Sequence, residues 1–246
     1  MNSISANLNL MIKACEKASK ILIRDFGEIE KLQVSKKGPS DFVTNSDLKT
    51  EKVIIEELIK GRPDYSIISE ENGIKKNKDS KNTWIIDPID GTLNFLHGVP
   101  HFATSIALKH ENEIVSGLIF DPIKDEIFYA EKNNGAYLNN KRIKVSKKKD
   151  LRECLFATSG IVESKIEFSY RKSGSAALDM AYVACGRYDG YFQKNLHLWD
   201  IAAGLILVEE AGGVINKIDL NDYKDLKIIA SSPDIKEKLI EKISNF

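Results

Sequence analysis

Trp84-Ile85-Ile86-Asp87-Pro88-Ile89-Asp90-Gly91-Thr92 is the stretch on which both fold and chemistry turn. An apolar run ends there in two carboxylates three residues apart, with proline between them. Proline fixes its own φ and biases the residue before it toward extended backbone. The pattern predicts a strand ending at Asp87 and a turn at Asp90 that leads into a short helix from Gly91. Both carboxylates would then face one small volume. Gly91 lets an anion approach the backbone, and the amides of Gly91 and Thr92 would point at it as a helix N-terminus does. Taken alone, the stretch leaves a plainer alternative open, in which Asp87 and Asp90 merely cap a helix.

Moving outward, Glu70-Glu71 follows the apolar run Tyr65 to Ser69, and Asp200 stands in Leu198-Trp199-Asp200-Ile201-Ala202-Ala203-Gly204. By themselves the two glutamates suit a solvated surface and Asp200 suits a helix start, where a carboxylate complements the dipole. Together, carboxylates on neighbouring strand ends repel one another unless cations occupy the space between them. Such hard, oxygen-rich surroundings suit Mg2+, which keeps waters and adds substrate phosphate oxygens. Ala202, Ala203 and Gly204 let their helix pack closely against another element. Lys36 and Lys37 read locally as solvated loop cations. His97, His101, His110 and His197 lack ligand spacing and are expected to be structural.

The remaining pattern places a helix over Leu8 to Phe26, ended by Gly27. A loop follows at Lys36 to Asp41, and a second helix starts near Ser46. Short β-like runs come next at 65–69, 83–86, 103–109, 114–120 and 126–130, separated by Asn, Gly, Asp and Pro. This meander suits antiparallel pairing. Beyond it the pattern predicts strands at 155–159, 188–193 and 227–231. Helices are predicted from Ser175, over 199–211 and over 234–243. The basic, apolar-poor stretch Lys147 to Asp150 suggests a boundary between an α+β half, 1–147, and an α/β half, 148–246. No repeat or low-complexity tract is present.

Lysine plus arginine equals aspartate plus glutamate, 36 against 36, over 246 residues, so net charge makes no case for a nucleic-acid or membrane partner. Met1 to Leu10 lacks the pattern of a signal peptide, and no apolar run approaches the roughly 20 residues that a membrane span needs. Cys15, Cys154 and Cys185 are odd in number, widely spaced and set among apolar residues. They are expected to be buried, reduced thiols, and no paired Cys or His spacing suggests zinc. A cytoplasmic protein is expected.

With these residues assembled, the chain resembles the inositol monophosphatase family. The likeness runs from the first helix to the last and is carried by Asp47, Glu70-Glu71, Asp87 to Thr92 and Trp199 to Gly204, in that order. It implies a layered αβαβα sandwich of the sugar-phosphatase type, a homodimer, lithium sensitivity and a cofactor set of two to three Mg2+ ions. The implied activity is hydrolysis of a small phosphate ester, inositol 1-phosphate foremost, by metal-activated water. By position, a first ion would be held by Glu70, Asp87 and the carbonyl of Ile89. A second would be held by Asp87, Asp90 and Asp200, and a third would touch Glu70 through water. Thr92, backed by Asp47 and beside Glu70, would orient the attacking water, while the amides of Gly91 and Thr92 bind phosphate. Lys36 would approach on loop closure. Ala176, in Ser173-Gly174-Ser175-Ala176, would contact substrate, as would Asp200.

Such a site meets the demands of the reaction. Phosphate monoester hydrolysis needs an in-line water, neutralised equatorial oxygens and a stabilised leaving oxygen. The barrier reduction required is large, about 20 kcal/mol. One position departs from the family pattern: Gln193 stands where a glutamate usually accepts hydrogen bonds from inositol hydroxyls. Glutamine also donates, which leaves substrate preference open. Histidinol phosphate, fructose 1,6-bisphosphate and 3′-phosphoadenosine 5′-phosphate are therefore alternative esters. An alternative of another class is a phosphate-sensing or partner-binding protein on the same fold.

Overall fold

The structure is a computed structural model that describes residues 4–29, 34–38, 41–159 and 168–243. Helix α1 (Ala6–Phe26) is capped by Ser5, whose side chain accepts from the Leu8 amide. A hairpin of β1 (Val34–Gly38) and β2 (Asp41–Thr44) leads into α2 (Asn45–Gly61). The loop expected at Lys36 to Asp41 is thus mostly strand, with Lys36 opposite Phe42. Residues 39–40, and the side chain of Lys36, lie outside the described residues. Charged Lys36 and Lys37 gave no alternation from which pairing could be read.

Strands β3 (Tyr65–Ser69), β4 (Gly73–Lys75), β5 (Asp79–Asp90), β6 (Ala103–His110), β7 (Glu113–Asp121), β8 (Glu126–Glu131), β9 (Gly135–Leu138) and β10 (Lys141–Arg142) form one eight-stranded sheet in the order β10-β9-β8-β7-β6-β5-β3-β4. Short α3 (Thr92–Leu96) follows β5. From β5 to β10 every pairing is antiparallel, as the meander predicts, but β3 lies parallel to β5. Strand β5 also runs past Asp87 to Asp90, where a turn was expected. Its register on β6 slips between Asp87 and Asp90, and the irregularity absorbs Pro88, which has no N–H to give the ladder.

The second sheet holds β11 (Leu155–Ala157), β12 (Ser169–Arg171), β13 (Gly190–Leu196), β14 (Val214–Ile215) and β15 (Leu226–Ser231), in the order β12-β11-β13-β15-β14. Between the sheets lie α4 (Ala176–Ala184) and α5 (Leu198–Glu210), and α6 (Lys236–Lys242) covers the far side. Alternation along the strands builds the layers. Trp84 and Ile86 face Leu8, Met11, Ile54 and Leu58 of the outer helices, while Ile85 joins the central helices. Likewise Tyr191 faces the central layer and Phe192 faces Leu239 of α6. The result is the five-layer αβαβα arrangement.

Small residues set the spacing of the middle layer. A Cβ on Gly204 would lie 2.6 Å from Met180 Cβ, and one on Gly117 would lie 2.8 Å from the Ala203 carbonyl oxygen. Helix α5 therefore lies against both α4 and β7 with no room for a methyl group at either contact. Cys15 and Cys154 are buried as expected, whereas Cys185 is half-buried at the end of α4. Among the described residues, no helix is long and apolar enough to cross a membrane.

Candidate active site

The carboxylates gather where the C-terminal ends of β3 and β5 meet the N-terminal ends of α4 and α5. Glu70 directly follows β3, and its amide donates to the Ile86 carbonyl at 3.2 Å. The turn beyond it is pinned by Glu51, a fully buried residue of α2. One Glu51 carboxylate accepts from Ser69 Oγ at 2.9 Å, the Glu71 amide at 2.9 Å, the Asn72 amide at 3.0 Å and Asn72 Nδ2 at 2.5 Å. Sequence reading missed Glu51, because a glutamate amid the charged residues of a helix carries no signal of burial.

Asp87 is 2% exposed, and its Oδ1 is buried without a hydrogen-bond partner. Burial pushes its carboxyl well above the usual range, and the charges of Glu70, Asp90 and Asp200 push it further. Asp90 is turned toward α4. Its Oδ1 accepts from the Ala176 amide at 3.2 Å, and its Oδ2 accepts from the Ala177 amide at 2.9 Å and from the Ser175 hydroxyl. Burial raises Asp90 to about 6, and these donors work against the rise. Asp200 lies in the first turn of α5 and accepts from the His197 amide at 2.7 Å. Burial first, then the charge of Asp90, raise it to about 8.

Thr92 and Asp47 meet as expected. Thr92 Oγ1 lies 3.0 Å from the Ile89 carbonyl oxygen and 3.4 Å from Asp47 Oδ1. Asp47 is fully buried because it closes a capping box at the start of α2, accepting from the Thr44 amide at 2.7 Å and from the Thr44 hydroxyl at 2.5 Å. Gly91 has φ of +95°, and a Cβ there would lie 3.2 Å from the carbonyl oxygens of both Gly174 and His101. Only glycine fits this joint between β5 and the segment before α4. Asn94, also missed in the sequence, bridges the His101 carbonyl at 2.7 Å and the Ser173 carbonyl at 2.8 Å. The Oε1 of Gln193 accepts from the Tyr191 hydroxyl at 2.8 Å.

The donor set can be weighed against a hard cation. Among the described residues, no three His, Cys, Asp or Glu side chains close into a ready-made cage. Asp90 and Asp200 are turned to backbone amides, and each keeps acceptor capacity to spare, since a carboxylate accepts about four bonds. Asp87 Oδ1 has no bond at all, although burial of an unpaired acceptor is costly. Carboxylates, one backbone carbonyl and an orphaned oxygen fit an ion that completes its shell with water and phosphate oxygens.

Residues 5–246 match the family model described as the inositol monophosphatase family. An inositol-1-monophosphatase of Rhizobium meliloti is 46% identical, over 85% of this chain and 84% of that protein. A protein of Haemophilus influenzae described as Nus factor SuhB is 38% identical, over 96% and 95%. Among solved structures, the extragenic suppressor protein suhB of Bartonella henselae superposes with a TM-score of 0.90 at 42% identity, over 97% of this chain and 98% of that one.

Proposed function

The chain belongs to the inositol monophosphatase family and is a phosphoric monoester hydrolase of that family; from this premise we propose that it hydrolyses a small phosphate monoester with Mg2+, inositol 1-phosphate being the first ester to test. The observation that carries the metal reading is the orphaned, buried Oδ1 of Asp87, with the carboxylates of Glu70, Asp90 and Asp200 around it.

Glu70, Asp87 and the Ile89 carbonyl would hold one ion, and Asp87, Asp90 and Asp200 a second, with a third reached from Glu70 through water. Bound there, such ions acidify water and neutralise charge on the phosphate and the leaving oxygen. The protein's own groups do the positioning. Asp47, held by its capping box, offers Oδ1 to Thr92, so the Thr92 hydroxyl can pass its proton toward Asp47 and accept from an attacking water. Glu70, on the turn pinned by Glu51, would stand beside that water. The Gly91 and Thr92 amides would bind phosphate oxygens, and Ala176, Gln193 and Asp200 would meet the alcohol end of the ester. Lys36 would add a cation to the phosphate. A homodimer belongs to the same proposal.

Phosphate release from inositol 1-phosphate, histidinol phosphate, fructose 1,6-bisphosphate and 3′-phosphoadenosine 5′-phosphate, each with and without Mg2+, tests this reading. Asp87→Asn is the control, and turnover is expected to fall at least about a thousandfold in it. Absence of Mg2+-dependent release from every ester would overturn the reading. The SuhB relative favours a second role, partner binding alongside catalysis. Capture of a specific protein that survives Asp87→Asn would distinguish it.

A further inference from the structure

Lys109 is the one buried lysine among the described residues, 8% exposed near the end of β6. It stands on the face of β6 that Ala103 and Ala107 turn to the central helices, whereas Ile106 and Leu108 face the outer ones. An ammonium in that layer needs acceptors. Both come from residues 216–225, the irregular segment between β14 and β15. Lys109 Nζ donates to the Leu220 carbonyl at 3.0 Å and to Asn221 Oδ1 at 3.1 Å.

The base of this segment is fixed separately by Asn216, whose Oδ1 accepts from the Ile229 amide at 2.6 Å and whose Nδ2 donates to the Lys227 carbonyl at 2.9 Å. Asp219 folds the tip. Its carbonyl accepts from the Asp222 amide at 3.2 Å, and its Oδ1 accepts from the Asn221 amide at 2.9 Å. Directly after that turn, the Tyr223 carbonyl accepts from the Leu198 amide at 3.1 Å. Leu198 is the first residue of α5, and the leading N–H groups of a helix have no partner within it. The His197 amide beside it is taken by Asp200 itself, at 2.7 Å. The Tyr223 carbonyl thus holds the turn that bears Asp200 without drawing on the Asp200 carboxylate.

We propose that Lys109 is a positioning residue for the candidate metal site: it ties segment 216–225 to the sheet, which keeps the Tyr223 carbonyl on the first turn of α5 and sets where Asp200 stands for the second ion. This rests on the metal reading above and deepens it. Lys109 and Ser105, four residues or about 13 Å apart along β6, then serve one end of α5. Ser105 Oγ donates to the Trp199 carbonyl at 3.4 Å, and Lys109 acts through the segment.

The test is Mg2+ binding with no ester present, followed by isothermal titration calorimetry and by the rise in unfolding temperature. Lys109→Met, which keeps an unbranched side chain and removes the donors, is expected to raise the Mg2+ concentration for half-saturation by about tenfold. In an Asp200→Asn background the same change should shift it by less than about twofold, because two changes that act through one group do not add. A merely structural role would give equal shifts in both backgrounds or none in either, and that result would overturn the proposal. Should Lys109→Met fail to fold, Asn221→Ala removes one acceptor of the ammonium from an exposed position and is expected to shift the titration by about threefold. An unmoved titration there overturns the proposal equally. Non-additive shifts without hydrolysis of any ester would sink the phosphatase reading and keep this assignment, and hydrolysis with additive shifts would do the reverse. A wild-type chain that takes up no Mg2+ would overturn both.

Discussion

The hydroxyl of Ser175, the residue that caps α4, donates to the carboxylate of Asp90 at the end of β5. The bond joins the eight-stranded sheet to the central helices at the candidate metal site and holds one proposed ligand in place. Residues that orient a ligand typically carry 10–100-fold of metal affinity or activity. Ser175→Ala is therefore expected to raise the Mg2+ concentration for half-maximal phosphate release by about tenfold or more. An unchanged Mg2+ titration would show that Asp90 does not depend on Ser175.

Glu51 holds the turn that carries Glu70. In Glu51→Gln, an NH2 group faces donors in place of an oxygen, and the Ser69 hydroxyl and the Glu71 and Asn72 amides compete for what remains. The expected loss is about 2–3 kcal/mol of stability, read by urea unfolding, with a fall in kcat as Glu70 loosens. Full activity in a destabilised variant would separate Glu51 from the site.

Gly204 meets Met180 too closely for any larger residue. Gly204→Ala is expected to cost about 1–3 kcal/mol by overpacking. Adding Met180→Ala should return part of that loss, because the two changes share one contact. Simple additivity in the double variant would show that the clash is relieved elsewhere.

Glu126 and Arg187 tie β8 to the turn after α4 through two bonds, 2.6 and 2.5 Å long. The bond to Arg187 holds the Glu126 carboxyl below its ordinary value. A depressed carboxyl stabilises the fold above the unfolded value, near pH 4.3, and the contribution is lost as pH falls through the folded value. Glu126→Gln should therefore cost about 1 kcal/mol at pH 7. The difference from wild type should shrink as pH drops below about 4. Chemical unfolding at both pH values measures it, and a pH-independent gap would assign the effect to packing.

Much of this was legible because it is local. Glu70 and Asp87 sit at the ends of apolar runs, and the strand before each could be read from Ile67, Ile86 and their neighbours, while Asp200 could be read as the start of a helix. The layer order was legible through the family resemblance alone. What stayed hidden depends on residues far apart in the chain. Nothing near Ser175 announces that Asp90, 85 positions earlier, is its acceptor. Nothing near Tyr191 separates a core tyrosine from one that donates to Gln193. The first part of β5, Asp79 to Thr83, is polar and without alternation, so only its pairing with β3, Tyr65 opposite Asp79, extends the strand that far. The course of β5 past Pro88 was hidden for another reason: proline reads locally as a stop, while the ladder with β6 resumes at Asp90 opposite Ala103.

On the proposed metal reading, the gathering of Glu70, Asp87, Asp90 and Asp200 from two strand ends and a central helix makes ion occupancy a gauge of the native population. An ion that binds only the assembled carboxylates stabilises the whole chain by RT ln(1 + [L]/Kd), about 2.7 kcal/mol at a hundredfold excess over Kd. On the proposed assignment, a chain in which α5 has come away from β5 would lose Asp200 and with it the second ion. Partial unfolding at the middle layer should thus silence the enzyme completely, leaving no slow or misdirected residual hydrolysis.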